Sequence, residues 1–426
     1  MRQLSALVFA YYFPPMGLSG VQRVTKFMKY LPDFGWQPHV ITTGPVAYYA
    51  HDPSLLEELE GRDVTIHRTQ GADINSRLKD KGTVAMPREF FRKILRKASD
   101  TFYVPDNKKA WSKQALALGR ELVQQHEFDV IFVSGPPFST MTAAATLSNE
   151  TGIPLVVDYR DLWFGNQFHF YPTFWHSHKH QQLERDVLRV ASRITVTNRR
   201  IKEHLIRRHD FLTSEEVVII PHGYDPADLL GHERVRRNDG KFRLTYSGIF
   251  YDIVTPIPFF KAVKRVRSER PDIPLDLHFV GLLRDEYRKA AQRMGIADLI
   301  TDHGYCPHRD AVGMLMESDA LWMMVGNTRN ADTISSAKLY EYFGTRKPLL
   351  VSVPQGALRK DAERYGASWI TDPKDVEAIA TSIIEMYEHF KRGTLPSPNA
   401  SVVDGFNRIT LTEQLAKQFA MSTRVV

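Results

Sequence analysis

A chain of 426 residues, 43% apolar and 25% charged, exceeds the size at which a single core keeps growing, so two ordered globular domains are expected. The single cysteine, Cys306, excludes an internal disulfide and a cysteine-rich metal site and fits a reducing compartment. A net charge of +7 is a modest excess for this length, too small to argue for a nucleic-acid partner, and none is expected.

The opening MRQLSALVFAYYFPPMG runs from a short apolar stretch into Pro14 and Pro15 without a small-residue cleavage site, and reads as a first β-strand rather than a secretory leader. No segment approaches the roughly 18 uninterrupted apolar residues of a membrane span, so a soluble or peripheral protein is expected. Short β-branched runs follow: LSALVFA, PHVITT, DVTIH, DVIFVS, PLVVD, RITVT and VVIIP, with amphipathic stretches such as 108–127 and 138–150 between them. Residues 223–241 (GYDPADLLGHERVRRNDGK) are polar and read as the interdomain connection. The alternation then restarts with FRLTYS, LDLHFV, DALWMMV and PLLVSV, and FNRITLTEQLAKQFA has the spacing of a closing helix. This is the pattern of parallel βαβ units, and the expected fold class is α/β, with two Rossmann-like doubly wound domains. Such sheets bind ligands at the carboxyl ends of their strands, where helix N-termini favour an anion, phosphate first.

The first βα junction, YYFPPMGLSGVQR, holds Gly17 and Gly20 before a helix, which lets backbone approach a ligand. It is not a G-x-G-x-x-G fingerprint, and no acidic residue ends the second strand, which argues against NAD. In DTISSAKLYEYFGTRKPLLVSV, Ser335 or Ser336 is a natural N-cap, the helix carries Lys338 and Glu341 on one face, and Gly344 is expected to stop it. Hydroxyls and free N–H groups for phosphate, a lysine for charge and a carboxylate for ribose suit a nucleoside diphosphate. The same spacing also suits a surface i,i+3 ion pair.

His176, His178, His180 and Glu184 cluster in WHSHKHQQLE, read as a solvent-facing helix start with acceptor contacts favoured over a metal site. The aromatics of DYRDLWFGNQFHFYPTFW suit sugar stacking and loop packing equally. In PREFFRKILRKASD, Phe90, Phe91, Ile94, Leu95 and Ala98 share a helical face flanked by Arg88, Arg92, Lys93, Arg96 and Lys97. That composition fits an interfacial helix on an anionic leaflet, or a helix packing its apolar face on the domain.

Taken together, YYFPPMGLSGVQR with LPDFGWQPHVIT, SGPPFST, PLVVDYRDLW, IIPHGYD, YSGIFYD and SSAKLYEYFGTRKP resemble the bacterial glycosyltransferase family 4 of cell-surface polysaccharide type. The resemblance implies a GT-B fold, two Rossmann-like domains facing across a cleft. The acceptor domain would take residues 1–222 plus a crossover helix at 405–426, and the donor domain 223–404. It also implies retaining, metal-independent hexosyl transfer from a nucleoside-diphosphate sugar, a UDP sugar foremost, with no cofactor. Glu341 matches the family's ribose glutamate, and Thr333 stands where a glutamate usually meets the donor sugar. The family's basic pair falls on Ile249 and Val254, with its glycine kept as Gly248, so Lys338 is assigned to the diphosphate. Arg160 and Asp161 fall where the family has histidine and aspartate. The implied catalytic set is Asp161, Arg160 and Lys338; the donor-binding set is Glu341, Ser335, Ser336, Thr333, Gly248, Gly20 and Gly17. The acceptor would be lipid-linked or a polysaccharide, on the anionic inner face of the membrane, with the protein cytoplasmic and peripheral. The rival readings are an inactive GT-B binding subunit of a polysaccharide assembly complex and a sugar-nucleotide 2-epimerase of the same fold.

Overall fold

The computed structural model describes residues 3–17, 19–48, 50–70, 89–232, 237, 239–250 and 253–423. The chain divides into two compact units, Met1–Pro221 with Arg408–Val426, and His222–Asn407. In the first, β1 (Leu4–Phe9), β2 (Trp36–Thr43), β3 (Thr65–Thr69), β4 (Val130–Gly135), β5 (Leu155–Tyr159), β6 (Ala191–Val196) and β7 (Val217–Ile219) form a parallel sheet in the order β3-β2-β1-β4-β5-β6-β7. Helices cover both faces, which is why these strands read as continuous apolar runs. The two-residue pleat sends Leu7, Phe9, Ile131 and Val133 into one core and Ala6, Val8, Val130 and Phe132 into the other. The Arg408–Thr423 helix returns to this second core through Leu411, Leu415 and Phe419, the last edge-on to Trp36 at 5.2 Å.

The second unit holds β8 (Phe242–Ile249), β9 (Leu275–Leu282), β10 (Ile300–Gly304), β11 (Ala320–Met324), β12 (Leu349–Ser352) and β13 (Ser368–Thr371), parallel and ordered β10-β9-β8-β11-β12-β13. Both sheets are therefore doubly wound, reversing at β1/β4 and at β8/β11. The outermost strands β10 and β13 escape the sequence pattern because ITDHG and SWIT are edge strands, mostly half-buried, without an apolar run.

Two expectations are corrected here. Residues 222–232 do not form a free connection. Tyr224 is buried in the second unit's core, its N–H donates to Phe406 O at 3.0 Å, and Asp225 caps the Pro226–Leu229 turn. Nor does Gly344 end its helix, which runs Ala337–Thr345 and is closed by Arg346 in the left-handed conformation at φ 56. Gly344 is needed instead because a Cβ there would lie 2.6 Å from the Tyr224 ring. Gly344→Ala should therefore overpack this contact and cost the second unit about 1–3 kcal/mol. An unchanged melting temperature would contradict that role.

Candidate active site

An open α/β sheet offers its ligand crevice where the strand order reverses, here between β8 and β11. Gly248, near the end of β8, has φ 128, and its carbonyl oxygen would lie 2.3 Å from a Cβ on Gly281 of β9. Both conformation and space demand glycine at these strand ends. The chain leaving β11 passes through the Ala331–Thr333 turn into the Ala337–Thr345 helix. Ser336 occupies the N-cap position without a side-chain cap bond, and the buried Ser335 Oγ has no hydrogen-bond partner. Leaving a buried hydroxyl unpaired costs about 1–3 kcal/mol, which an anion's oxygens at a helix N-terminus would offset.

Lys338 lies in the first turn of this helix. Its ammonium sits 3.6 Å from the centroid of the Tyr246 ring of β8, and a Cβ on Gly248 would meet it at 2.7 Å. Burial lowers its pKa to about 7, opposed by the Glu341 carboxylate. A cation on an aromatic face, beside backbone too crowded for a side chain, remains available to an incoming anion. The i,i+3 pair is not formed. Glu341 Oε1 instead lies 3.4 Å from His308 Nε2, which is 3.0 Å from Asp228 Oδ2. The helix is pinned to β8 by Ser247 N–H donating to the Tyr342 hydroxyl at 2.8 Å, and burial pushes that phenol's pKa up. Thr333 is buried and its hydroxyl donates to Asn330 O at 2.8 Å. Val254 is a core residue and Ile249 ends β8, so neither position supplies charge.

The first unit places Gly17 and Gly20 beyond β1, where Gly17 N–H donates to Ala50 O at 2.9 Å and Gly20 lies in the first turn of the Ser19–Tyr30 helix. Arg160, just after β5, is buried and donates to the carbonyls of Gly20 and Pro136. It thus braces the loops leaving β1 and β4 from within; burial lowers its pKa against the pull of Asp161 and Asp158. Burial raises the Asp161 carboxyl above the usual carboxylate range, opposed by Arg160.

The sequence reading missed the strongest polar feature of this unit. Arg23 Nε and Nη2 donate to Asp158 at 2.9 and 2.7 Å, and Ser134 and Thr195 hydroxyls donate to the same carboxylate at 2.7 and 2.8 Å. Its signal was a carboxylate ending the apolar run PLVVD. His308 was missed because β10, which positions it, has no apolar pattern.

The histidine-rich run is corrected as well. Within the Phe174–Val190 helix, His180 and Glu184 are buried, not solvent-facing. The three imidazoles also diverge. His176 Nε2 donates to Thr101 O at 3.0 Å, His178 stacks on Phe174, and His180 Nδ1 accepts from Trp163 Nε1 at 3.2 Å. Arg88 and the side chains of Phe90 and Phe91 lie outside the described residues.

Residues 20–223 match the family described as glycosyl transferase 4-like domain. No curated protein sequence matches the chain. Among solved structures, sucrose-phosphate synthase from Thermosynechococcus elongatus is similar at TM-score 0.68 and 12% identity, covering 99% of this chain and 100% of that one. A glycosyltransferase from Rickettsia africae is similar at TM-score 0.64 and 12% identity, covering 100% and 99%. Anabaena HepE in complex with UDP and glucose is similar at TM-score 0.63 and 14% identity, covering 97% and 99%. What the chain shares with these structures is the GT-B fold, two Rossmann-like domains.

Proposed function

We propose that the chain moves a sugar, with retention of configuration, from a nucleoside-diphosphate sugar to a lipid-linked or polysaccharide acceptor at the cytoplasmic face of an anionic membrane. The observation that carries this reading is the Ala337–Thr345 helix N-terminus, with the unpartnered Ser335 Oγ at its entry and the Lys338 ammonium beside Gly248. Cleaving a glycosyl phosphate builds negative charge on the leaving diphosphate. Donors held at a helix N-terminus therefore stabilise the transition state more than the ground state, without a metal. Glu341 would accept from the ribose hydroxyls with His308 and Asp228 behind it. UDP is the favoured nucleotide, supported by UDP in the similar HepE structure.

The deciding experiment incubates the protein with a panel of sugar nucleotides and follows slow donor hydrolysis, with and without EDTA. Turnover untouched by EDTA supports the reading, and a strict requirement for Mn²⁺ or Mg²⁺ overturns its metal-free mechanism. A non-catalytic binding subunit is kept as a second reading by Thr333, Ile249 and Val254, which carry no charge where the family usually has it; nucleotide binding without turnover would favour it. Release of an epimerised sugar nucleotide would favour the 2-epimerase, for which His308 between two carboxylates supplies a histidine and acids. Glu341→Ala should weaken UDP by about 1.5–3 kcal/mol, the range for a hydrogen bond to a charged group, while leaving the melting temperature unchanged. Unaltered UDP affinity by calorimetry would remove Glu341 from the site.

A further inference from the structure

Exposed large apolar side chains gather on the first unit in two segments far apart in sequence. The Glu89–Phe102 helix presents Leu95, Ala98 and Phe102 at i, i+3 and i+7, all exposed, with Phe102 80% exposed. The entry to the Phe174–Val190 helix presents Phe174 at 83% and Trp175 at 60%, preceded by exposed Phe170. Three contacts join the segments. Phe170 N–H donates to Asp100 Oδ2 at 3.0 Å, His176 Nε2 to Thr101 O at 3.0 Å, and the Lys97 ammonium stands 5.4 Å from the Phe170 ring centroid. The expectation that the helix packs its apolar face on the domain fails for Ile94 and Leu95, both exposed.

We infer that these two segments form one composite surface that docks on an anionic lipid bilayer. Single exposed apolar residues are ordinary, but a cluster of aromatics rimmed by bases marks an interaction site. Lipid is the occupant that the charge and residue types select. Lys93 and Lys97 are exposed on the flank of the apolar stripe, where long stems reach anionic headgroups while the aromatics enter the interfacial layer. Phe102, Phe170, Phe174 and Trp175, rather than aliphatics alone, dominate the patch, as at a headgroup boundary. Thr173 caps the Phe174–Val190 helix, and the buried His180 and Glu184 anchor it, so Phe174 and Trp175 stand on a fixed scaffold. The inference rests on the proposed membrane-bound acceptor and gives that membrane its contact residues.

The test is flotation of the full chain with vesicles of phosphatidylcholine, with or without phosphatidylglycerol. Wild type should float only with the anionic vesicles, and less at high salt, since exposed charges are screened beyond about 8–10 Å. Its tryptophan emission should shift to the blue, because Trp175 is the exposed one of six, Trp36, Trp111, Trp163 and Trp322 being buried and Trp369 half-buried. Phe174→Ser with Trp175→Ser should weaken partitioning about tenfold or more and leave UDP affinity unchanged, as should Lys93→Gln with Lys97→Gln. The inference is overturned if wild type stays with the unbound fraction, if either variant floats as wild type does, or if the aromatic variant only dissolves a dimer of this chain. Lost turnover with intact flotation would count against the proposed activity alone. Lost flotation with intact turnover would count against the docking surface alone.

Discussion

Asp158→Ala is expected to cost the first unit about 3–5 kcal/mol, because it strands a guanidinium in the core. The Arg23–Asp158 pair is 1% exposed on both sides, and Arg23 also donates to the carbonyls of Ile220 and Pro221, where the chain leaves this unit. In the variant those two bonds remain but the charge has no counter-ion, and the hydroxyls of Ser134 and Thr195 lose their acceptor. Equilibrium urea unfolding should show the loss. The double variant Arg23→Met with Asp158→Leu should recover part of it, since an apolar pair of similar volume avoids the desolvation of two charges. A single variant within about 0.5 kcal/mol of wild type, the range of ordinary surface changes, would mean that the pair is not a keystone of this unit. The pH dependence has a definite sign. Burial raises the Asp158 pKa, but Arg23 and the hydroxyl donors outweigh it and hold the folded carboxyl below its ordinary value. Its contribution is therefore fully present above the unfolded pKa of about 3.9 and is lost as pH falls through the folded value. The Asp158→Ala variant should lack this acid-labile component.

How far the sequence could be read depended on the range of the physics. Buried parallel strands announce themselves locally, and each of the eleven motifs that read as strands overlaps a strand of the two sheets, as DVIFVS does the fully buried β4. β10 and β13 lie at a sheet edge, where one side is unpaired and polar residues are tolerated, so ITDHG and SWIT carry no such run. The SSAKLYEYFGTRKP motif was legible as a helix bearing Lys338 and Glu341, but not the partner each side chain takes. Tyr246 approaches Lys338 from a strand some 90 residues earlier, and His308 approaches Glu341 from a helix whose preceding strand was unseen. Gly344 misled for the same reason: glycine near a helix end is usually a cap, whereas here the ring of Tyr224 from a distant turn dictates it. Arg23 and Asp158 are separated by 135 positions, and only the closed fold shows that each makes the other's burial tolerable. The exposure of Phe174 and Trp175 was hidden because an aromatic-rich loop is compatible with packing and with display.

Lys338 offers the sharpest test of the proposed donor site, because its protonation and its role are coupled. Its pKa in the free protein is about 7, so above neutrality the side chain is largely uncharged and must take up a proton to meet a diphosphate. UDP affinity should accordingly be strongest below pH 7. It should fall by up to about tenfold per pH unit above it, until the raised pKa of the bound state is passed. Calorimetry in buffers of different ionisation enthalpy should record proton uptake on binding at about pH 8. The terminal phosphate of UDP titrates too, with a second pKa near 6, but its contribution is common to every variant. Lys338→Met removes only the lysine's share, so it should bind UDP more weakly by about 1.5–3 kcal/mol at pH 6 and show a flat profile above pH 7. Uridine, which has no phosphate, should bind both proteins alike. The ligand-free protein gives an independent check with its own sign. The folded pKa is lowered, so between about pH 7 and 10 the unfolded chain binds the extra proton, and stability of the second unit should rise with pH across that window. In Lys338→Met that rise should be absent. If UDP affinity keeps the same slope above pH 7 after the lysine is gone, the ammonium over Tyr246 is not the group that meets the diphosphate.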